Sequence, residues 1–393
     1  MKIATIVGAR PQFIKSAPVS RAIAAYNQRS ASVCSPITEI VIHTGQHFDA
    51  DMSDVFFREL DIPKPAYNLG INSASHGAMT GRMLEKIEEI LIKENPDWLL
   101  VYGDTNSTLA GALAAAKLHI PIAHVEAGLR SFNREMPEEI NRILTDQCAA
   151  ILFCPTETAV KNLKNEGFNN IANNGKLIDE KLLKDEPSAF NFQVSPLVVN
   201  VGDTMYDAVL QFSEIAKRRL NILENLDIKP KEYLLATVHR PYNTDNPENL
   251  HNILSAFIEL NEPIIFPVHP RTRQCLLDSK LNIQHSKLRC ISPVGYLDML
   301  ILEQHARAIL TDSGGMQKEA YLFGVPCVTM RTETEWMETV EVGWNAVVGA
   351  DRKHIVKTVR SLKSDIPRPE FYGNGRAVKN IIYCLAANQL TDE

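Results

Sequence analysis

The chain has 393 residues, of which 45% are hydrophobic and 22% are charged, as in an ordinary globular protein of two or three domains. Its net charge of −6 argues against a surface for nucleic acid or an anionic membrane, so an anionic ligand would need cations placed locally. Seven cysteines without a Cys-x-x-Cys pair argue against a zinc site or a disulfide framework, and predict a reduced, cytoplasmic protein. No apolar stretch reaches membrane-spanning length, and the first one is too short for a signal peptide.

Short apolar segments alternate with amphipathic segments along the chain. Strands are predicted at residues 3–7, 37–43, 98–102, 122–125, 151–154, 197–201, 233–238, 264–268, 308–311 and 325–330. Helices are predicted between them, for example at 107–118, 138–147 and 249–259. This βαβ order predicts parallel sheets of the α/β class. Ten strands exceed one Rossmann sheet, so two Rossmann-like, doubly wound domains are expected.

A polar segment without periodicity separates the two halves and predicts the domain boundary. We expect an N-terminal Rossmann-like domain at 1–172, an insertion or linker at 173–196, a C-terminal Rossmann-like domain at 197–366, and a helix at 367–393 that packs back on the first domain. Ligands of open α/β sheets bind beyond the carboxyl ends of the strands. Because polar residues follow nearly every predicted strand, we expect them to line one cleft between the domains.

The first predicted strand is followed by cations around a helix start at Pro11. This segment lacks the G-x-G-x-x-G fingerprint, which argues against a dinucleotide site. Arg10 is suited to bind a pyrophosphate through two parallel hydrogen bonds, and Lys15 is suited to bind it as a point charge. A solvated helix start is the alternative interpretation.

Carboxylates follow the next strands. Asp104 comes directly after residues 98–102 and also suits an ordinary helix cap, whereas Glu126, after residues 122–125, is a poor cap. Glu138 lies near a predicted helix start with Arg142 four residues later. That spacing fits either an ordinary ion pair or a carboxylate that an arginine orients.

In the second half, the strand at 308–311 is followed by a glycine turn and a predicted helix. Gly314 and Gly315 allow a phosphate to approach the backbone, the helix start supplies N–H groups, and Ser313 adds a hydroxyl donor. Glu319 is placed to reach a ribose. His239 and Arg331, each after another strand, add cations. An ordinary capped glycine turn is the alternative for this motif alone.

Phosphate-binding groups beside carboxylates predict a nucleotide sugar as the ligand. The C1–O bond would break while protons move at the sugar ring, which needs both proton carriers and cations near the leaving phosphate. The cluster of His43, His47 and Asp49 does not have the spacing of a metal site, so no metal is expected.

Taken in order, these motifs resemble those of the non-hydrolysing UDP-N-acetylglucosamine 2-epimerase family. The matching segments are GARPQFIK at 8–15, HTGQHFD at 43–49, YGDTNST at 102–108, HVEAGLRS at 124–131, PEEINR at 137–142, VHR at 238–240, HPRT at 269–272, TDSGGMQKEA at 311–320 and RTETEWMETVEVGWN at 331–345. The resemblance implies a glycosyltransferase-B-type architecture with an interdomain cleft, a homodimer and no cofactor. It also implies interconversion of UDP-GlcNAc and UDP-ManNAc for surface polysaccharide synthesis, through elimination of UDP to a 2-acetamidoglucal and its re-addition.

The resemblance also assigns roles to residues. It implies that the acid and base groups are among Asp104, Glu126 and Glu138, positioned by Arg142, with His239 also at the catalytic centre. The substrate-binding candidates are Arg10, Lys15, Gln46, His47, His239, Tyr296, Ser313, Gly314, Gly315, Glu319 and Arg331. Among these, Glu319 is expected at the ribose and the Tyr296 region at the uracil.

Some positions depart from the family pattern. Phe48, Pro241 and Tyr242 replace residues that serve substrate-activated regulation in many bacterial members, which argues against activation by UDP-GlcNAc. Other segments, including HTGQHFD and RTETEW, resemble the subgroup that acts on UDP-2,3-diacetamido-2,3-dideoxyglucuronate. The C6 carboxylate of that sugar would need a further cation.

Arg130, Arg134 and Arg271 are the available candidates for that cation. A glycosyltransferase on the same scaffold, a nucleotide-sugar sensor and a hydrolysing epimerase are the remaining alternatives. The three acids in the first half argue against the glycosyltransferase and the sensor.

Overall fold

The computed structural model describes residues 1–30, 36–46, 60, 62–72, 75–179, 181–182, 195–219, 221–278 and 286–387. The chain divides into two compact units, Met1–Leu210 with Glu370–Glu393, and Gln211–Pro369. Each unit contains one parallel sheet with helices in its connections, which confirms the predicted α/β class. Among the described helices, none is both long and apolar enough to cross a membrane.

The first unit contains an eight-stranded sheet. Its strands are β1 (Lys2–Val7), β2 (Thr38–His43), β3 (Tyr67–Asn68), β4 (Trp98–Tyr102), β5 (Ile122–Val125), β6 (Ile151–Cys154), β7 (Asn170–Ile171) and β8 (Leu197–Asn200). The helices are α1 (Arg10–Ser30), α2 (His76–Glu94), α3 (Asn106–Lys117), α4 (Pro137–Cys148) and α5 (Glu157–Asn165), and α6 (Thr204–Arg219) leads into the second unit. The strand order is β3-β2-β1-β4-β5-β6-β8-β7. Because the order reverses between β1 and β4, a ligand site is expected where these strands end.

The second unit contains a six-stranded sheet in the order β11-β10-β9-β12-β13-β14. Its strands are β9 (Leu234–Thr237), β10 (Ile264–Pro267), β11 (Leu288–Ile291), β12 (Ala308–Thr311), β13 (Cys327–Thr329) and β14 (Asn345–Val347). The helices are α7 (Ile222–Asn225), α8 (Pro241–Thr244), α9 (Pro247–Leu260), α10 (Pro270–Asp278), α11 (Tyr296–His305), α12 (Gly314–Phe323), α13 (Met337–Glu341) and α14 (Arg352–Ser361). Here the strand order reverses between β9 and β12, so a ligand site is expected at the turns that follow these strands.

The predicted domain boundary needs a correction at β8. The sequence assigned residues 197–201 to the second domain, but β8 pairs in parallel with β6 in the first sheet, from Ile151 opposite Leu197 to Cys154 opposite Asn200. The first unit continues to Leu210, within α6. The apolar pattern of β8 predicts a buried strand but carries no information about which sheet accepts it. Half of the predicted insertion at 173–196, from 183 to 194, lies outside the described residues.

The last helix, α15 (Ala377–Ala387), belongs to the first unit. Val378, Ile381 and Leu385 are buried in the same apolar cluster as Val19 and Ile23 of α1. Asp207, buried in α6, accepts hydrogen bonds from the backbone N–H groups of Ala377 at 3.1 Å and Val378 at 3.3 Å. This carboxylate therefore satisfies N–H groups that the start of a helix leaves without an intrahelical partner.

Asp207 is expected to make stability depend on pH. Burial raises its pKa to about 7, although the hydrogen bonds from Ala377 and Val378 lower it. The unfolded state keeps an ordinary carboxyl pKa, so protonated Asp207 favours the folded state. This contribution to the free energy of unfolding is full below about pH 4 and is lost as the pH rises to 7. The unfolding free energy of the wild type minus that of Asp207→Asn is expected to fall by ~2 kcal/mol from pH 5 to pH 8. Urea unfolding of both proteins at the two pH values measures this, and a difference independent of pH would contradict it.

Candidate functional site

The turn between β1 and α1 is fixed to the end of β4 by Gln12. Its side-chain oxygen accepts the N–H groups of Gly8 at 2.8 Å and Ala9 at 3.1 Å, and its Nε2 donates to the carbonyl of Tyr102 at 3.0 Å. A Cβ at Gly8 would lie 2.2 Å from Thr44 Oγ1, so only glycine fits there. The ends of β1 and β4, between which the strand order reverses, are therefore held in one geometry. The sequence did not single out Gln12.

The carboxylate of Glu126 lies on this edge, directly after β5. Glu126 has a φ of 71°, in the left-handed region that non-glycine residues rarely adopt and that clusters at functional sites. Its Oε2 forms an ion pair with Lys15 Nζ, and both side chains are only 8% exposed. Lys15 thus contacts a carboxylate in this structure, and its contact with a phosphate stays a prediction. Each of these two buried charges thus has an opposite charge as its partner.

Asp104 lies after β4 and faces Arg142. Arg142 Nη2 is 2.5 Å from Asp104 Oδ2, and its Nη1 is 2.5 Å from Glu139 Oε2. The sequence singled out Glu138 as the acid that Arg142 orients, whereas the structure places Glu139, one residue later, against this guanidinium. Glu138 is half-buried on the first turn of α4, where Pro137 begins the helix. Of the two carboxylates that contact Arg142, that of Asp104 is the more exposed, and the Asp104 side chain is 31% exposed.

Glu139 organises the loop before α4. Its carboxylate accepts the N–H groups of Ser131 at 2.9 Å and Phe132 at 3.0 Å. Burial alone would raise the pKa of Glu139, but these hydrogen bonds and the charge of Arg142 outweigh it and lower the pKa below the usual value. Glu139 is therefore ionised at neutral pH and acts as a fixed anchor, which separates its role from that of a proton carrier.

Gln46 lies at the same edge of the sheet. Its side-chain oxygen accepts a hydrogen bond from the backbone N–H of Ser107 at 3.2 Å and from the Ser107 hydroxyl at 2.8 Å, near the start of α3. His47, also predicted to bind substrate, lies outside the described residues together with Phe48 and Asp49. Arg10, at the first position of α1, is partly exposed beside this edge.

In the second unit, the predicted glycine turn joins β12 to α12. Ser313 is the N-cap residue of α12 and its hydroxyl makes no capping hydrogen bond, while its N–H donates to Thr311 Oγ1 at 2.9 Å. Arg331 lies beside Gly314, with Nη1 3.8 Å from the position of a Cβ at this residue. The guanidinium of Arg331 pairs with Glu335 at 3.2 Å. The N–H groups at a helix start favour an anion, as does a neighbouring guanidinium.

The carboxylate of Asp312 organises the neighbouring turn after β9. It is fully buried and accepts the backbone N–H groups of His239 at 3.0 Å and Arg240 at 3.0 Å, and the side-chain amide of Asn243 at 3.0 Å. The His239 side chain is 36% exposed, with Nδ1 3.6 Å from Asp312 Oδ1. The motif contains Asp312, but the sequence assigned it no role because its partners lie more than 60 residues away.

Asp312→Ala is expected to lower the free energy of unfolding by ~3 kcal/mol or more, because a buried donor left without an acceptor costs about 1–3 kcal/mol. Asp351 provides the matched control, since it accepts one backbone N–H, from His354, at the exposed start of α14. Asp351→Ala is expected to cost ~1 kcal/mol, the usual effect of a helix cap. Chemical denaturation measures both, and equal losses would contradict the role of Asp312.

Glu319 and Tyr296 form a hydrogen-bonded pair in the second unit. The Tyr296 hydroxyl donates to Glu319 Oε1 at 2.9 Å. Tyr296 is 1% exposed and its ring packs edge-on against Phe212. The ring of Tyr296 is therefore enclosed, and the expectation that the region around it contacts a uracil stays a prediction. The Tyr296 hydroxyl orients the carboxylate that the sequence placed at a ribose.

The cations considered for a C6 carboxylate differ in their surroundings. Arg130 Nη1 lies 2.8 Å from Asp146, and its Nη2 lies 2.7 Å from Glu166, with the guanidinium buried. Arg130 is thus already neutralised by carboxylates. Arg134 is exposed in the loop before α4, and the side chain of Arg271 lies outside the described part of the chain. Within the described residues, no three His, Cys, Asp or Glu side chains are grouped to hold a metal ion.

Comparison with known proteins identifies a family. The family model described as UDP-N-acetylglucosamine 2-epimerase matches residues 32–386. A protein of Methanococcus maripaludis described as a UDP-N-acetylglucosamine 2-epimerase homolog is 53% identical over 393 residues, which covers 98% of this chain and 99% of the relative. The UDP-2,3-diacetamido-2,3-dideoxy-D-glucuronate 2-epimerase of Pseudomonas aeruginosa is 50% identical, with the same coverage.

A solved structure agrees with these relatives. The crystal structure of the Methanocaldococcus jannaschii UDP-GlcNAc 2-epimerase in complex with UDP-GlcNAc and UDP matches with a TM-score of 0.83 at 42% identity. The match covers 98% of this chain and 99% of that chain. These comparisons confirm the resemblance predicted from the motifs, and with it the predicted enzyme class of isomerases.

Proposed function

Since the chain belongs to the UDP-N-acetylglucosamine 2-epimerase family, we propose that it interconverts UDP-GlcNAc and UDP-ManNAc without hydrolysing them. The observation that carries the proposal is the chemistry of the two sheet edges. The first unit places Asp104 and Glu126 on neighbouring turns, each held by a cation. The second unit has the N-terminus of α12 beside the guanidinium of Arg331, where we propose that the diphosphate binds. Proton carriers and a diphosphate site are the groups that this epimerisation needs.

In the elimination, the C1–O bond breaks and its electron pair leaves with the phosphate oxygen of UDP. A carboxylate takes the C2 proton, and the electron pair of the C2–H bond becomes the C1–C2 double bond of a 2-acetamidoglucal. In the return step, C2 takes a proton on the opposite face and the UDP oxygen attacks C1. The two faces require two proton carriers, for which we propose members of the set Asp104, Glu126 and Glu138, with Arg142 orienting Asp104.

The negative charge that develops on UDP needs donors fixed in advance. We propose that the diphosphate binds Ser313, Gly314 and Gly315, with charge contributed by Arg331, His239 and Arg10. Glu319 would accept hydrogen bonds from the ribose hydroxyls, oriented by Tyr296. We propose that residues of both units contact the same nucleotide sugar. We further propose that the enzyme acts as a cytoplasmic homodimer that supplies precursors of surface polysaccharide.

A second candidate substrate is UDP-2,3-diacetamido-2,3-dideoxyglucuronate, favoured by the 50% identity with the Pseudomonas aeruginosa relative. Its C6 carboxylate needs a cation that carboxylates have not already neutralised. Arg130 is excluded because Asp146 and Glu166 hold it. Arg134 is the described candidate for this contact.

Proton NMR in D2O distinguishes these functions. The purified protein is incubated separately with UDP-GlcNAc and with the diacetamido-uronate nucleotide. The proposal predicts that deuterium replaces hydrogen at C2 while UDP stays attached, as the manno epimer accumulates. Exchange with the uronate alone would assign the second substrate.

Three other results would contradict the epimerase. Free sugar together with UDP would indicate hydrolysis. Transfer only in the presence of an acceptor would indicate a glycosyltransferase. Binding of both nucleotides without exchange would indicate a sensor.

A further inference from the structure

A buried histidine–aspartate pair lies under the acidic turns of the first unit. His124, in β5, and Asp146, in α4, are both fully buried, and His124 Nδ1 is 2.7 Å from Asp146 Oδ1. The other ring nitrogen, Nε2, is 2.8 Å from the carbonyl oxygen of Gly103. Both ring nitrogens thus face acceptors, one on the helix and one on the turn after β4.

The contact with Gly103 fixes the turn that carries Asp104. Gly103 has a φ of 63°, and a Cβ at this position would lie 3.1 Å from Glu126 Oε2. Gly103 therefore lies directly beside the carboxylate of Glu126 and immediately before Asp104. A shift of its carbonyl would move both acids relative to each other.

Asp146 fixes the turn that carries Glu126. Its Oδ2 accepts the backbone N–H of Gly128 at 3.2 Å, two residues after Glu126. Gly128 has a φ of 77°, and a Cβ there would lie 2.5 Å from the carbonyl oxygen of Ala159, so this turn is pressed against α5. Arg130, paired with Glu166, lies 2.8 Å from the same oxygen of Asp146. Asp146 is therefore itself held in place by a buried cation.

We propose that His124 and Asp146 are positioning residues that join the turns of Asp104 and Glu126 into one rigid unit. This role rests on the proposed function. The pair acts through the backbone at Gly103 and Gly128, below the carboxylates. Because a reacting group misplaced by 1 Å loses about 10²-fold in rate, such a link affects the chemical step more than binding.

Variants of His124 that keep different contacts test this role. His124→Phe removes both hydrogen bonds. His124→Gln keeps an amide that reaches toward Gly103, and His124→Asn keeps one that reaches toward Asp146. His119→Gln is the matched control, because His119 is exposed and precedes β5 at its other end.

We expect His124→Phe to lower kcat about 10²-fold with KM unchanged, since interactions that act only in the transition state lower kcat and kcat/KM equally. His124→Gln should recover about tenfold of this loss. The number of UDP sites per chain and their dissociation constant should stay at the wild-type values, and His119→Gln should match the wild type throughout. Steady-state kinetics and isothermal titration with UDP supply these readouts.

Two results would overturn the positioning role. One is a kcat in His124→Phe within about threefold of an active wild type. The other is a loss of kcat matched by an equal loss of UDP sites, without recovery in His124→Gln, which would indicate a role in folding alone. Should His124→Phe not fold, the Gln and Asn variants carry the comparison. A wild type inactive on both sugars would instead overturn the proposed function, and this role with it.

Discussion

Glu126→Gln is expected to lower the rate of C2 exchange by at least about 10³-fold, within the range that general acid–base catalysis contributes. The amide keeps the shape of the side chain but cannot take the C2 proton. Affinity for UDP is expected to stay within about tenfold, or ~1.4 kcal/mol, because the proposed diphosphate site lies on α12. Deuterium incorporation and titration with UDP measure the two quantities.

The ion pair of Glu126 with Lys15 requires a stability control for this variant. Lys15 is buried and would lose its partner, so the free energy of unfolding is expected to fall as well. Glu126→Asp retains the charge and displaces the carboxylate, and a large loss of rate is also expected there. Glu157→Gln, on the exposed first turn of α5, should leave exchange unchanged. Normal turnover in a folded Glu126→Gln protein would remove Glu126 from the chemistry.

Gly314→Ala is expected to weaken UDP binding by about 10²-fold or more, or ~3 kcal/mol, without destabilising the protein. The added Cβ would lie 3.7 Å from Glu335 and 3.8 Å from Arg331 and Trp336, which are ordinary contacts. The fold therefore accepts the methyl group, whereas a phosphate approaching the backbone at this helix start would meet it. Titration with UDP and a thermal melt test both parts of the prediction.

Gly81→Ala is the matched control for this variant. Gly81 lies in α2, and no atom of the described residues lies within 4 Å of an added Cβ. It should leave UDP affinity unchanged and raise stability slightly, since alanine favours a helix. Wild-type affinity in Gly314→Ala would place the diphosphate away from α12.

The central strands were predictable because their apolar residues indicate burial. Residues 98–102, 122–125, 151–154 and 308–311 form strands with the predicted bounds. Each is a short apolar run, buried on both faces of a parallel sheet. The two-residue strands β3 and β7 were not predicted, because at that length only pairing with a neighbour defines a strand. The same reason explains the wrong assignment of β8.

Side-chain partners were less predictable than motifs. The sequence singled out Lys15 and Arg142 but did not predict the ion pairs of Lys15 with Glu126 and of Arg142 with Asp104, which join groups distant in sequence. Lys15 meets Glu126 across 111 residues. His124 and Asp312 were part of recognised motifs, yet their partners are set by the sheet order. A histidine or aspartate at a strand end carries no local signal that separates substrate contact from support of a turn.

The central claim is that Glu126 and Ser313 act on one bound nucleotide sugar. A crystal structure of the protein with UDP-GlcNAc tests it most directly. The account predicts the diphosphate within hydrogen-bond distance, about 3 Å, of the backbone at Ser313 and Gly314, with C2 of the hexose facing the Glu126 carboxylate. A closed complex in which the hexose contacts neither Glu126 nor Asp104 would contradict it.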